Sequence, residues 1–307
     1  MTLTELKYIV AVARERHFGR AAEACFVSQP TLSVAVKKLE EELDVKIFER
    51  GASEVSVTPL GEQIVRQAQQ VIEQAASIKE IAKLGKDPVA GPLRVGVIYT
   101  IGPYLLPDLV RQTIARVPQM PLVLQENFTA RLLDMLRTGE LDCAIMAEPF
   151  PDTGLAVAPL YDEPFQAAVP VSHPFAKLKT VTTEELKNET MLLLGTGHCF
   201  RDHVLEVCPE YARFSSATEG IRKSFEGSSL ETIKYMVASG MGITVVPQLS
   251  VPADLQTHVR YVPFSEPVPT RRVVLAWRRT FPRYEAIAAL RNAIYACPLP
   301  GVTRLTG

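Results

Sequence analysis

Residues 18 to 43, FGRAAEACFVSQPTLSVAVKKLEEEL, constrain the fold more than any other stretch, because they read as two short helices joined by a tight turn. Phe18, Ala21, Ala22 and Cys25 share one helical face, and Val27 then precedes Ser28, a good N-cap. Gln29, Pro30 and Thr31 form the first turn of the second helix, where proline sacrifices no hydrogen bond because its N–H had no intrahelical partner. Leu32, Val36 and Leu39 recur at helical spacing and predict the buried stripe, with Thr31, Ser33 and Lys37 outward. Short polar side chains on the N-terminal half suit base edges in a major groove, while Lys37, Lys38 and the helix N-terminus suit phosphates. On spacing alone, the alternative is an ordinary helical hairpin.

The same residues carry a resemblance. Residues 1 to 59 resemble the winged helix-turn-helix of the LysR-type transcriptional regulators, whose FxRAAExxxVSQPTLSxxVKKLE-like run is nearly complete here. The IFER of Ile47 to Arg50, the polar Gly51 to Ser53 turn and the VSVTPLGE of Val55 to Glu62 resemble that family's wing and the start of its linker helix. The resemblance implies that Gln29, Pro30, Thr31 and Ser33 face the bases of double-stranded promoter DNA, with Lys37, Lys38 and Arg50 on phosphates. Residues 1 to 66 nevertheless hold nine Lys plus Arg against ten Asp plus Glu. The positive field is therefore local. Residues 28 to 39 contain Lys37, Lys38 and no acid, and Glu40 to Glu42 are expected to face away from the duplex.

A chain of 307 residues with net charge −1 suggests about two domains with ample apolar residues for their cores. No apolar run approaches a membrane span, and the stretch Ile9 to Ala13 is broken by Arg14, Glu15 and Arg16, unlike a signal peptide. Five cysteines without regular spacing do not form a secreted disulfide framework. The expectation is a cytoplasmic protein without a membrane partner, in which a disulfide is an event and not a scaffold.

After a first domain at 1–58, Thr58 and Pro59 open a linker helix, 59–88, that runs without proline to about Lys86. Ile64, Ala68, Val71, Ala75, Ile78 and Ala82 alternate steps of four and three, a coiled-coil seam on a helix roughly 40 Å long. The bland reading packs this face on the chain's own C-terminal domain. A homodimer is preferred, since a helix-turn-helix needs a second half-site reader, and the resemblance adds a dimer of dimers. Asp87, Pro88, Gly91 and Pro92 then mark a hinge.

From Leu93 the pattern alternates strand and helix: LRVGVI, PYLLPDLVRQTIARV, PLVLQE, FTARLLDMLRTG and DCAIMA. It resumes in FQAAVP, MLLLG, a helix from Ser228 through Val237 and ITVVP, then ends with RVVLAW and PRYEAIAALRNAIYA. Ser228 and Glu231 have capping-box spacing. The expected architecture is an all-α winged helix-turn-helix plus long linker helix, followed at 89–307 by an α/β regulatory domain of two Rossmann-like subdomains. The resemblance implies the periplasmic-binding-protein type, with subdomain I at 93–161 and 268–307 and subdomain II at 162–267. Ligands in open α/β sheets sit at the carboxyl ends of strands, which singles out Thr100 after LRVGVIY and Thr129 after LVLQENF. A threonine in such a turn is more often a helix cap.

The segment GHCFRDHVLEVC, Gly197 to Cys208, narrows function within the family. His198 and Arg201 flank Cys199 and favour its thiolate, the form that reacts with peroxide, with Cys208 as resolving thiol. If residues 200 to 208 are helical, nine steps turn by about 900° and separate the two backbones by roughly 13 Å. A disulfide needs Cα atoms within about 7 Å, so the bond forms only if the helix unwinds.

The segment, with VGVIYTIGPYLLP, ENFT and SSLETIKYMVASGMG, also closely resembles the peroxide-responsive members of the LysR family. That resemblance covers essentially the whole chain. It implies that Cys199 is the peroxidatic cysteine and Cys208 its disulfide partner, that Thr100, Thr129, His198 and Asp202 place hydrogen peroxide or steer its proton, and that Arg271 or its neighbour Arg272 assists. A thiol reductant resets the pair, and no cofactor is implied.

Competing readings remain at this level. Cys199 and Cys208 are inert core residues, as Cys25, Cys143 and Cys297 are expected to be. Alternatively, His198, Cys199, His203 and Cys208 bind zinc, although Cys208 projects opposite to the Cys199 and His203 face; the reading preferred here has no metal. A small organic effector in the cleft between subdomains is the third reading, and a thiol peroxidase the fourth. The last is disfavoured because nothing outside the thiol pair forms a nucleophile, acid and base constellation.

Overall fold

Each N-terminal helix begins at a local signal. α1 (Leu3–Glu15) opens at Thr2, whose hydroxyl accepts the Glu5 N–H at 3.2 Å while the Glu5 carboxylate accepts the Thr2 N–H at 2.7 Å. α2 (Phe18–Ala24) is capped by the His17 ring, which accepts from Gly19 and Arg20 N–H groups. α3 (Gln29–Leu43) starts at Ser28, whose Oγ accepts the Thr31 N–H at 3.4 Å. The intervening turn passes through Phe26 at φ 57°, the left-handed region that a side chain disfavours. Phe18, Ala21 and Ala22 of α2 and Leu32, Val36 and Leu39 of α3 are buried with Ile9 and Val12 of α1, so the predicted stripes do form one core.

The wing is a strand pair, β1 (Phe48–Arg50) antiparallel to β2 (Val55–Val57), in a domain expected to be all helical. Its base is fixed by the Glu40 carboxylate, which accepts the Ile47 and Phe48 N–H groups at 2.8 and 3.1 Å. Thr58 Oγ1 then accepts the Gly61 N–H at 2.9 Å and opens α4 (Pro59–Leu84). Gly61 is required there, since a Cβ would lie 2.3 Å from the Ile47 carbonyl oxygen.

The seam proposed for α4 is divided. Ala68 is buried and Ile64 packs beside it in the helix-turn-helix core, joined by Val65 and Ile72 from outside the predicted seam. Val71 and Ile78 stay exposed, Ile78 at 68%. The reason is that the first turns of α4 lie against α1, which takes the face that the heptad pattern reserved for a second chain.

The computed structural model describes residues 1–50, 55–84, 87, 89–151, 154–209, 224–227, 229–252 and 258–305. The expected wing turn Gly51 to Ser53, Lys86, Pro88 and Ser228 lie outside these residues, as do the side chains of Arg50 and Ala82. The chain divides into two units, 1–86 and 87–307. Among the described residues, no helix is long and apolar enough to cross a membrane.

In the second unit, residues 89 to 92 are held by Arg283, whose guanidinium donates to the carbonyls of Val89, Ala90, Gly91 and Pro92 at 2.8 to 3.2 Å. β3 (Leu93–Ile98), α5 (Gly102–Arg116), β4 (Leu122–Asn127), α6 (Thr129–Arg137) and β5 (Cys143–Ala147) follow, with β3 parallel to both β4 and β5. β6 (Leu155–Pro170) is far longer than the FQAAVP expected of it. After the short α7 (Thr183–Leu186), β7 (Met191–Leu194) leads into α8 (Cys199–Val207), and β8 (Ser224–Gly227) lies parallel to β7. α9 (Leu230–Ala238) is capped by Ser229, whose Oγ accepts the Thr232 N–H at 3.1 Å. The predicted Ser228 cap is thus displaced by one residue, and Glu231 instead turns to Tyr104 and Lys234.

β9 (Thr244–Pro247), β10 (Val259–Pro263), β11 (Thr270–Arg278), α10 (Tyr284–Tyr295) and β12 (Thr303–Arg304) complete the chain. The main sheet runs β10-β6-β11-β5-β3-β4, with β9 and β12 also on β6. One half of β6 pairs with β11 and the other with β9 and β10, so a single strand serves both subdomains. Each subdomain keeps its own apolar core.

Candidate functional site

Cys199 is the first residue of α8, where backbone N–H groups and the helix dipole favour a negative sulfur. His198 precedes it as N-cap and contributes no capping hydrogen bond. Its buried ring stands edge-on to Phe128 and Tyr99, with centroids 4.8 and 5.8 Å apart. Gly197 takes φ +101°, and its Cα side faces the Phe128 ring at a distance that leaves little room for a Cβ.

Both strand-end threonines reach this place. Ile98, Tyr99, Thr100, Asn127, Phe128, Thr129, Gly197, His198 and Cys199 line a small cavity with about 10 Å³ of room for the centre of a water-sized molecule. That is about the least volume that holds a single water. Neither threonine caps a helix: α5 follows Ile101 and α6 follows Phe128, both without a side-chain cap. Thr100 is buried and accepts from Arg271 Nη1 at 2.8 Å, while its carbonyl accepts from Nη2 at 3.0 Å. Thr129 Oγ1 is buried and makes no hydrogen bond of regular geometry, yet it lies near enough to the Cys199 sulfur to lower the thiol's pKa.

Of the two adjacent arginines, Arg271 faces this site. It is buried, donates to the fully buried Glu163 at 2.9 Å and stacks over Phe200 at 5.1 Å. Arg272 points outward to Asp162 at 2.8 and 3.0 Å. Alternation along β11 decides between them, because neighbouring side chains on a strand take opposite faces.

Burial pushes the Cys199 thiol above its ordinary value; the Thr129 hydroxyl and then the Arg271 charge pull it down, and Asp202 opposes them. Arg271, from the distant strand β11, is a cation whose charge lowers this thiol's pKa. Asp202 sits exposed in the first turn of α8, away from the cavity lining. Glu163, Tyr99 and Phe128 are wall and support residues that sequence reasoning missed. Glu163 stands in the YDEP run, where only strand alternation hinted at an inward acid.

Cys208 occupies the C-cap of α8 and is buried in the second subdomain's core, whereas Cys199 packs against the first subdomain's core. Nine helical steps place their Cα atoms roughly 13 Å apart on opposite faces. All five cysteines are thiols. Burial raises Cys143, Cys25 and Cys297 as well, the last to about 11. Cys199 differs from them in facing a polar cavity at a helix N-terminus.

His203 Nε2 donates to the Glu148 carbonyl, 2.8 Å away, and burial lowers the pKa of the ring. Among the described residues, no group of three or more His, Cys, Asp and Glu side chains is placed to hold a metal. A larger cleft of about 370 Å³ adjoins the small cavity, lined by Tyr99, Thr100, Tyr104, Glu126, Phe128, His198 and Glu231 among others.

On the recognition helix α3, Gln29, Pro30, Thr31, Lys37 and Lys38 are exposed and Ser33 is half-buried. The Thr31 hydroxyl shares a 2.8 Å hydrogen bond with Ser28. Lys37 lies 3.6 Å from Glu41, and Lys38 3.6 Å from Glu5. Glu41 stands one helical turn after Lys37, which brings the two side chains together. Arg50 ends the first wing strand.

A helix-turn-helix with a wing, followed by an α/β domain with a lined cavity, defines a ligand- or signal-responsive DNA-binding regulator. The description "Bacterial regulatory helix-turn-helix protein, lysR family" matches residues 3–62, and "LysR substrate binding domain" matches residues 86–296. The chain belongs to the LysR family. Within that family it closely resembles OxyR. The "DNA-binding transcriptional dual regulator OxyR" of Escherichia coli is 39% identical over 292 residues, covering 94% of each chain. A "Hydrogen peroxide-inducible genes activator" of Dickeya chrysanthemi matches at 39% over the same share of both chains. A solved full-length OxyR from Pseudomonas aeruginosa with a cysteine-to-aspartate substitution is 52% identical, with TM-score 0.77, covering 97% of this chain and 99% of that one. A cysteine mutant of Corynebacterium glutamicum OxyR with hydrogen peroxide bound is 32% identical, with TM-score 0.62, covering 95% and 91%.

Proposed function

We propose that this chain is a hydrogen-peroxide-sensing transcriptional regulator in which Cys199 is the sensing thiol and Cys208 its partner. The observation that carries the reading is the placement of Cys199 at the start of α8, facing a cavity sized for one very small molecule and lined by the Thr129 and Thr100 hydroxyls. In the proposed step the Cys199 thiolate attacks one peroxide oxygen, the O–O bond breaks, and the leaving hydroxide takes a proton to become water. Cys199 is then a sulfenic acid. The Cys208 thiolate attacks that sulfur, a second water leaves, and the disulfide forms. A dithiol reductant reverses the two-electron oxidation.

Thr100 and Thr129 hold the peroxide, His198 closes the cavity, Asp202 acts on the thiol through its charge, and Arg271 positions Thr100 while favouring the thiolate. The signal is mechanical, because two thiols roughly 13 Å apart must come within disulfide range, which requires α8 to unwind. The domain reading is 1–58 for DNA, 59–88 as linker and 89–307 as sensor. Gln29, Pro30, Thr31 and Ser33 are assigned to bases, and Lys37, Lys38 and Arg50 to phosphates. The exposed Val71 and Ile78 support a homodimer through α4, assembled further into a dimer of dimers in the cytoplasm. A sensor needs one turnover per signal, so an enzymatic peroxidase role is not assigned.

Mass spectrometry of the intact and digested protein after a brief peroxide pulse tests this. A Cys199 to Cys208 crosslink is expected, and Cys208→Ser should trap Cys199 as a sulfenic acid or mixed adduct while still reacting. Absence of the crosslink would reject the switch. The adjoining cleft of about 370 Å³ favours a second reading, a small organic effector. That reading requires an effector response that survives Cys199→Ser.

A further inference from the structure

The recognition helix carries one exposed residue that neither packing nor the polar assignments use. Val34 is 68% exposed and belongs to no core cluster. It lies two residues from Leu32 and two from Val36, both buried, so at about 100° per residue it stands opposite the buried stripe, on the outermost line of α3. Pro30, one turn earlier, and Lys37 and Lys38, one turn later, surround it, and all three are exposed. A β-branched residue has no helix propensity to justify that place, where alanine or a charged residue is preferred.

We propose that Val34 reads thymine in the major groove by packing its methyl groups against the thymine 5-methyl. The proposal rests on the DNA-binding reading above and extends it to a residue that determines specificity. The outermost line of a recognition helix goes deepest into the groove, and there the 5-methyl is the one apolar mark on a base pair. Its flanks are already suited to that position: Lys37 can exchange its exposed partner Glu41 for a phosphate at small cost, and Lys38, 70% exposed beside the buried Glu5, also presents its ammonium there. The Ser28 cap holds Thr31 at the helix start, leaving the apolar contact to Val34, one turn further on.

The test uses the full-length chain. Duplexes enriched by the wild-type protein from a random-sequence pool serve as probes, and each thymine is replaced in turn by uracil, which removes the 5-methyl alone. Wild-type affinity should fall roughly fourfold at one thymine per half-site, the value of burying one methyl-sized group. Val34→Ala should lose that position-specific penalty, and Val34→Ile should keep it. Lys38→Ala should weaken binding to every probe alike. Superimposable uracil profiles for Val34→Ala and wild type would overturn the proposal while leaving the DNA reading intact. Failure of the wild-type protein to enrich any duplex would reject the DNA reading itself, and this proposal with it.

Discussion

The recognition helix and the sensing helix differ in how their chemistry is assembled. α3 presents its groups outward: its cap, its buried stripe and its exposed lysines all come from within fifteen residues and their immediate neighbours. α8 supplies Asp202 to the surroundings of Cys199, but the other groups around the thiol arrive from β11, from the turn after β3 and from the start of α6. The first is a local device that reads a surface, and the second is a junction of distant segments. A substitution should therefore act narrowly in α3 and broadly around α8.

The largest expected effect is at the sulfur. Cys199→Ser should abolish peroxide-dependent crosslinking and the change in DNA binding, while leaving DNA affinity of the reduced form unchanged in a shift assay. Loss of reduced-state affinity would blur the contrast between the two regions. Next is Arg271→Gln, which leaves the fully buried Glu163 without its cation; breaking such a pair costs about 3–5 kcal/mol. Denaturant titration should show that loss, and stopped-flow oxidation of Cys199 should slow because one influence favouring the thiolate has gone.

Leu32→Ala cuts a fully buried side chain from the helix-turn-helix core and should cost about 2–5 kcal/mol. The melt of the N-terminal unit should fall and DNA binding weaken, while the Cys199 oxidation rate stays at the wild-type value. A changed rate would show that the two units are thermodynamically coupled. The smallest effect is the pH response of the unmodified chain. Burial raises the Cys199 pKa, so near neutrality the thiol dominates and oxidation should accelerate about tenfold per pH unit until the thiol titrates. A rate flat from pH 6 to 8 would mean that the thiolate is already formed there.

Local order was legible wherever it depends on near neighbours. The Ser28 cap, the Leu32, Val36 and Leu39 stripe, the Thr58 start of α4 and the strand-end positions of Thr100 and Thr129 follow from spacing and capping chemistry. The α4 seam misled in part because a heptad stripe does not name its partner, and α1 claimed the first turns. Arg271 was named only through resemblance, because the charge it brings to Cys199 comes across the sheet from a segment that sequence adjacency does not connect to the thiol. Glu163 gave little signal, since a carboxylate in a strand reveals its burial only once its guanidinium partner is known.

The sequence alone determined where helices and strands begin, which helix faces are apolar, and that two thiols sit at opposite ends of one helix. These depend on backbone capping and on periods of 3.6 and 2 residues. Only the tertiary structure decided that Arg271 and not Arg272 turns inward to Thr100 and Glu163, that two threonines share one cavity, and that Cys199 and Cys208 pack against different cores. The Arg271 contacts join segments more than a hundred residues apart across the sheet, the cavity joins three separate turns, and no local interaction encodes either meeting.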